Sequence, residues 1–184
     1  MKEIKYKEIV KSTDGLIKNT EFVGFDQDYY IIQTLLRNWN PGNVFEIGTC
    51  TGNGSRIIRH VLPNARIMTL DISIGGHLCP KDVENIVHDS MTFNYSEKYP
   101  IDCWFIDGDH VYKNVFHETK EAIKSKSKYI IYHDADIEEV QKGIIDAFGN
   151  DIEKYELYHV IEPDNIYSSS GKNITRVAYA IKVK

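Results

Sequence analysis

No run of apolar residues in this chain approaches the length that crosses a bilayer, and the opening MKEIKYKEIVKSTDG carries lysines with no apolar segment behind them. Neither a membrane span nor a secretory leader is expected. Basic charge is also short, with 22 Lys and Arg against 27 Asp and Glu and a formal net charge of −5. Proteins that grip phosphate backbones do so with clustered Lys and Arg, so no nucleic-acid partner is expected. Cysteine is scarce: Cys50, Cys79 and Cys103 form an odd set without paired spacing. That argues against a disulfide framework and fits a reducing, cytoplasmic compartment. Repeats are missing, and so is any linker that would divide the 184 residues. The expectation is a single domain over 1–184, with an N-terminal helical cap over 1–40 and a core over 43–184. The 42% hydrophobic and 27% charged content are those of a soluble globular chain.

What is present is organised around Val44 to Asp71, VFEIGTCTGNGSRIIRHVLPNARIMTLD. An apolar run ends in a glycine loop, an amphipathic segment follows, and a second apolar run closes on one acid, which is the order strand, turn, helix, strand. In a parallel α/β sheet, ligands settle at the carboxyl ends of strands, where the turn into a helix offers free backbone N–H groups. Gly48, Gly52 and Gly54 leave room for close approach, because a residue without Cβ turns sharply and can touch a ligand. Asp71, nineteen positions after Gly52, stands where a carboxylate could accept from two ribose hydroxyls. Glu46 is anomalous inside the first of these strands, since a buried acid is costly unless it is paired or faces a ligand. The glycine spacing is G-x-x-x-G-x-G. That is neither the dinucleotide fingerprint of NAD-dependent oxidoreductases nor a phosphate-binding P-loop with its Gly-Lys-Ser/Thr.

Around this unit the elements alternate. DQDYYIIQTLLRNW puts Tyr29, Ile32, Leu35, Leu36 and Trp39 at helical spacing, with Asp26 as N-cap and Pro41-Gly42 as the stop. A third strand is expected over Val83 to His88, a fourth over Ile101 to Asp107 and a fifth over Tyr129 to Asp134. A helix with Val115, Thr119, Ala122 and Ile123 on one face follows the fourth strand and ends in a solvated Lys/Ser run, Lys124 to Lys128. Another begins at Asp136 with Glu139 as a capping-box partner, buries Ile137, Val140, Ile144, Ile145 and Phe148, and ends at Gly149. Tyr155 to Glu162 and Ile174 to Val183 read as the arms of a hairpin. Residues 1–25 carry no clear pattern.

FEIGTCTGNGS followed by LD resembles the first two motifs of class I S-adenosylmethionine-dependent methyltransferases, with Thr49, Cys50 and Thr51 where the commonest version has a middle glycine. FIDGDHVYKNV, with the later HD, is similar to a subgroup that includes relatives of sugar and catechol O-methyltransferases. The resemblance implies an α/β fold with a Rossmann-like, mostly parallel seven-stranded sheet, helices on both faces and a C-terminal antiparallel hairpin. It also implies methyl transfer from S-adenosylmethionine to a small-molecule, hydroxyl-bearing acceptor. The implied cofactor residues are Glu46, Gly48, Thr49, Cys50, Gly52, Asp71, Asp89 and Ser90. Asp89 and Ser90 would approach the adenine amine or, equally, serve as helix caps, and Cys50 is read as loop packing or cofactor contact.

The polar ends of the fourth and fifth strands converge if both point the same way. Methyl transfer needs its acceptor held at near-attack distance and made nucleophilic. Asp107, Asp109 and His110 are the candidate catalytic residues, with His110 as base or substrate contact. By the same resemblance, Asp107, Asp134 and His133 are candidate ligands for Mg or another divalent cation, with Asp109 and Asp136 as further contributors. These groups also suit helix caps and strand ends without a metal. His60, His77, His88, His117 and His159 are isolated and read as surface or packing residues. A nucleic-acid amino-methylating enzyme would place Pro-Pro and an aromatic after the fourth strand, and this chain does not. A homodimer is compatible with the sequence. A second reading keeps the fold and the cofactor but without methyl transfer, as a regulatory or scaffolding protein or one that processes the cofactor by another reaction.

Overall fold

The apolar runs read from the sequence become neighbouring strands of one sheet. In the computed structural model, which describes residues 1–18, 26–73, 75–161 and 174–183, the elements in chain order begin with β1 (Lys2–Lys5), α1 (Tyr6–Ile9), α2 (Asp26–Trp39), β2 (Asn43–Ile47), α3 (Asn53–Val61) and β3 (Arg66–Asp71). They continue with β4 (Glu84–Val87), β5 (Cys103–Ile106), α4 (Tyr112–Lys124), β6 (Tyr129–Tyr132), α5 (Glu138–Phe148), β7 (Tyr155–Ile161) and β8 (Ile174–Lys182). The loop 162–173 of the expected hairpin lies outside the described residues, but its arms β7 and β8 pair antiparallel.

The sheet order is β1-β7-β8-β6-β5-β2-β3-β4, with β2, β3, β4, β5 and β6 parallel and β8 antiparallel to both β6 and β7. The eighth strand corrects the expected seven. β1, from the unpatterned N-terminus, adds parallel to β7, and its largely exposed KEIK offers no alternating apolar signal from which a strand could be read. β2 and β5 are the neighbours between which the winding direction reverses, so the crevice beyond their carboxyl ends is where an open α/β sheet takes its ligand.

Side chains alternate across the strands and build a core on each face. Val44, Cys103, Phe105, Tyr129 and Ile131 join α2 and α3 on one side. Phe45, Ile47, Trp104, Ile106, Ile130 and Tyr132 join α4 and α5 on the other. Burial on both faces is why these strands read as continuous apolar runs. Each large side chain buried this way contributes about 1.5–3 kcal/mol over leaving it in water. Asp102, the one acid before β5, accepts the N–H groups of Gly42 and Asn43 at 3.0 and 2.9 Å and so ties the start of β2 to the start of β5.

Four local expectations are corrected. Asp136 does not cap α5, whose N-cap is Ile137, and Ile145 points outward at 47% exposure while Gly143 and Ala147 take the buried positions. The Lys/Ser run is not wholly solvated. Ser127 is buried, accepts the Trp104 indole N–H at 2.8 Å and donates to Ile101 O at 2.6 Å. Strands five and six stop at Ile106 and Tyr132, so Asp107 and His133-Asp134 lie just past their ends. No helix among the described residues is long and apolar enough to cross a membrane.

Candidate functional site

The glycine loop leaves β2 through residues that must adopt positive φ. Gly48 has φ 95°, and a Cβ on it would fall 2.0 Å from the carbonyl oxygen of Asp107. Gly52 has φ 91°, and its Cβ would fall 2.4 Å from Cys79 N. Only a residue without a side chain brings the loop this close to β5 on one side and to 75–79 on the other. Cys50, at φ 45°, donates its N–H to Asp71 Oδ2 at 2.9 Å, and the N–H and hydroxyl of Ser73 both reach Asp71 Oδ1 at 3.0 Å. Burial alone would push the Asp71 carboxyl up, but these donors overrule it and hold the group below the usual carboxylate value. The turn after β3 closes over the loop, with Gly76 N on Cys50 O at 2.7 Å and Leu78 N on Thr51 O at 2.8 Å.

Glu46 lies beneath this loop. It is 1% exposed, shares its face of β2 with Val44, and accepts the Ser55 hydroxyl from α3. Burial pushes its carboxyl up to about 8 against the help of the Ser55 and Thr69 hydroxyls. A Cβ on Gly54 would collide with its Oε1, so the third glycine of the motif makes room for the acid rather than for a ligand. Thr49 joins the same layer, its hydroxyl 2.7 Å from that of Thr69.

Above the loop is a cavity of about 830 Å³. The structure brings Gly48, Cys50, Asp71, Asp89, Ser90, Asp107, Asp109, His110, His133 and Asp134 onto its wall. Glu46, Thr49 and Gly52 are not on that wall and support the loop from behind. No α-helix begins at Asp89 or Ser90. The Asp89 carboxylate caps a turn through Met91 N at 2.9 Å, and Ser90 donates to Glu118 Oε1 at 2.7 Å. Cys103 is buried, and no disulfide joins the three cysteines. His77, read as a surface or packing residue, lines the cavity.

The second half of the site is a charge cluster. His133 is buried, with Nδ1 3.2 Å from Asp107 Oδ1 and 3.0 Å from Asp134 Oδ2, and with Nε2 3.6 Å from Asp28 Oδ2. Burial would push the imidazole down, but the carboxylates of Asp107 and Asp28 raise it well above the ordinary histidine value, which makes it a cation near neutrality. Asp134 sits at φ 50°, a left-handed conformation that Asp tolerates better than most residues. Its carboxylate also meets the Arg176 guanidinium from β8 and His110 Nε2, the latter at 2.8 Å. Arg176 is fixed in turn by its own backbone, whose N–H reaches Asp28 Oδ1 at 3.2 Å and whose carbonyl accepts Ala135 N at 2.8 Å.

One donor atom each from Asp107, His110 and Asp134 lie within 4.8 Å of one another. Two carboxylates and an imidazole fit a divalent cation. His133, expected among the ligands, turns its ring nitrogens to carboxylates instead, and His110 completes the triangle. Asp109 is exposed and accepts from Asn114 Nδ2 at 3.1 Å. Asp136 is buried and does not line the cavity.

Sequence reasoning missed Asp28, Arg176 and Glu118. Asp28 did leave a signal, since it falls on the helical face of Ile32, Leu35 and Leu36, where an acid breaks an apolar stripe. Arg176 shares its strand face with the buried Ala178 and Ala180, again a charge at an inward position.

Neither any family model nor any curated protein matches this sequence. Solved structures do match in fold. The O-methyltransferase from Bacillus cereus, in complex with SAH, superposes with a TM-score of 0.64 over 90% of this chain and 84% of its own, at 19% identity. TomG, an O-methyltransferase from Streptomyces achromogenes in complex with SAM, gives 0.65 over 90% and 83% at 15% identity. MycE, from the mycinamycin biosynthetic pathway, in complex with Mg, SAH and mycinamycin VI, gives 0.59 at 17% identity over 82% of this chain but 48% of its own. The fold is therefore the Rossmann-like fold of these O-methyltransferases.

Proposed function

We propose that the protein transfers a methyl group from S-adenosylmethionine to a hydroxyl of a small-molecule acceptor. The observation that carries the reading is a single cavity with the Gly48–Asp71 cradle at one end and the Asp107–His110–Asp134 cluster at the other. Support comes from the fold neighbours described with SAM or SAH.

The residues fit the cofactor. Asp71 already has its oxygens oriented by three donors, and Oδ2, which takes only one of them, keeps a lone pair for a ribose hydroxyl. Gly48 lets the loop lie against the backbone of Asp107, which brings the two halves of the cavity wall together. S-adenosylmethionine, when bound, supplies an electrophilic methyl on a sulfonium. The chain has to hold the acceptor oxygen in line and remove its proton. His110 is placed for the second task, with Asp134 orienting its ring and ready to stabilise the imidazolium that forms. A divalent cation would be held by Asp107, His110 and Asp134, and would lower the pKa of the acceptor hydroxyl as a Lewis acid. His133 and Arg176 offset part of the negative charge there, so the acidic pocket keeps its shape. The reading extends to a cytoplasmic protein, supported by three cysteines without a disulfide.

Isothermal titration with S-adenosylmethionine and with S-adenosylhomocysteine tests the reading. Micromolar binding of both is expected, followed by turnover on a panel of polyol, phenol and sugar acceptors. Binding of neither ligand overturns the proposal.

A further inference from the structure

We infer that Asp28 of α2 is a positioning residue: acting through the buried His133 ring, it fixes the Asp107 carboxylate in the donor triangle and so sets how tightly the site holds a divalent cation. The inference rests on the cation proposed above, and adds to it a residue that neither lines the cavity nor belongs to the triangle.

Among the described residues the one ion-pair partner of the Asp107 carboxylate is His133, whose Nδ1 lies 3.2 Å from Asp107 Oδ1 and 3.0 Å from Asp134 Oδ2. A single imidazole nitrogen thus spans both carboxylates of the triangle, and the placement of the ring decides their spacing. The far side of the ring is held by α2. His133 Nε2 faces Asp28 Oδ2 at 3.6 Å, an ion-pair separation rather than a hydrogen-bond length, and neither atom has a hydrogen bond among the described residues. Tyr29, next in the helix, sets its ring 5.7 Å from the imidazole, tilted by 31°. The first turn of α2 therefore grips His133 with a charge and a ring.

Asp28 is itself anchored. Its Oδ1 accepts Arg176 N at 3.2 Å, which leaves Oδ2 to His133, and the guanidinium of the same Arg176 meets Asp134. One carboxylate of α2 thus bears on Asp107 through His133 and on Asp134 through both His133 and β8. Stability alone does not call for an acid here. Asp28 is 2% exposed, and a buried ion pair is commonly no more stabilising than apolar side chains of the same volume. What the acid supplies is orientation, together with a third carboxylate beside a cluster suited to a cation. Groups that stand behind metal ligands without touching the metal commonly carry about tenfold to a hundredfold in its affinity.

The test is calorimetric titration of the full chain with Mg and, separately, with S-adenosylhomocysteine. The isosteric Asp28→Asn is expected to lower Mg affinity by about tenfold to a hundredfold while S-adenosylhomocysteine affinity stays within about threefold of wild type. A role in folding alone would weaken both ligands together or neither, and either result overturns the inference. His133→Gln supplies the second arm. If Asp28 acts through the ring, Asp28→Asn should change Mg affinity by less than about threefold in the His133→Gln background, because the two losses are not additive. The full loss in that background would show a charge acting directly on the ion, and overturns the positioning role. Should Asp28→Asn fail to fold, Asp28→Ser is held to the same limits, and His133→Asn replaces His133→Gln in the same way. No heat from Mg with the wild-type chain overturns the cation and this role together, whereas the S-adenosylhomocysteine titration judges the methyl-transfer proposal separately.

Discussion

The backbone N–H of Cys50 donates to Asp71 Oδ2 at 2.9 Å, a bond across 21 residues that closes the glycine loop onto the end of β3. One carboxylate thus shapes the loop and faces the cavity, where the proposed cofactor would place its ribose. Asp71→Ala removes both, and is expected to weaken S-adenosylhomocysteine binding by about tenfold to a hundredfold, with Asp71→Asn intermediate because it keeps one oxygen. Titration calorimetry measures it, and unchanged affinity in the Ala variant would reject the assignment. Because the folded carboxyl is held below its usual value, its contribution is present above about pH 4 and is lost as pH falls through the folded value.

Glu46 predicts the opposite pH behaviour. Its folded carboxyl titrates near 8, whereas an unfolded glutamate titrates near ~4.3. The fold therefore favours the protonated form, and this contribution to stability is complete below about pH 4.3 and is lost as pH rises through about 8. Urea unfolding between pH 5 and 8 should show a decline of up to about 1.4 kcal/mol per pH unit from this group, and Glu46→Gln should flatten it. The same slope in the Gln variant would mean that another group titrates.

Glu46 also shows how far the sequence could be read. Its position inside an apolar run announced a buried acid with a partner or a ligand, and nothing in the one-dimensional pattern chose between them. The choice depends on Ser55, which helix packing brings back over β2. The strand and helix order was legible because strands buried on both faces are continuous apolar runs, and because glycine and acid fall at their ends. β1 was not legible, since an edge strand with an exposed, charged face has no period to detect. The charge cluster was half legible. Asp107, His110 and Asp134 follow strand ends, but Asp28 and Arg176 come from α2 and β8, 148 residues apart, and meet only through the fold.

Arg176 is one of three partners of the buried Asp134 carboxylate, beside His133 and His110. Its loss weakens the compensation of that charge without abolishing it, so Arg176→Ala should cost about 1–3 kcal/mol in unfolding free energy, with Arg176→Lys milder. The double variant Arg176→Ala/Asp134→Asn should recover part of the loss, because the weakly compensated charge goes with its partner. Denaturant unfolding measures all three. Additive losses in the double variant would show that the two groups do not stabilise each other.

In the proposed reaction, His110 separates two ways of activating the acceptor. Its Nε2 lies 2.8 Å from Asp134 Oδ2, and the same two residues with Asp107 make the donor triangle. His110→Ala is expected to lower kcat by about 10²–10⁴ while S-adenosylmethionine affinity stays within about threefold, because the imidazole is at the reacting end and Asp71 at the other. Either role of His110 predicts that result, so the chelator decides between them. EDTA should abolish turnover of the wild-type chain, and added Mg should restore it, with calorimetry showing one bound ion per chain that Asp134→Asn removes. Full activity in chelator, with no heat on Mg titration, would place proton removal on the His110–Asp134 pair alone. The bond between them would then do the work of the ion.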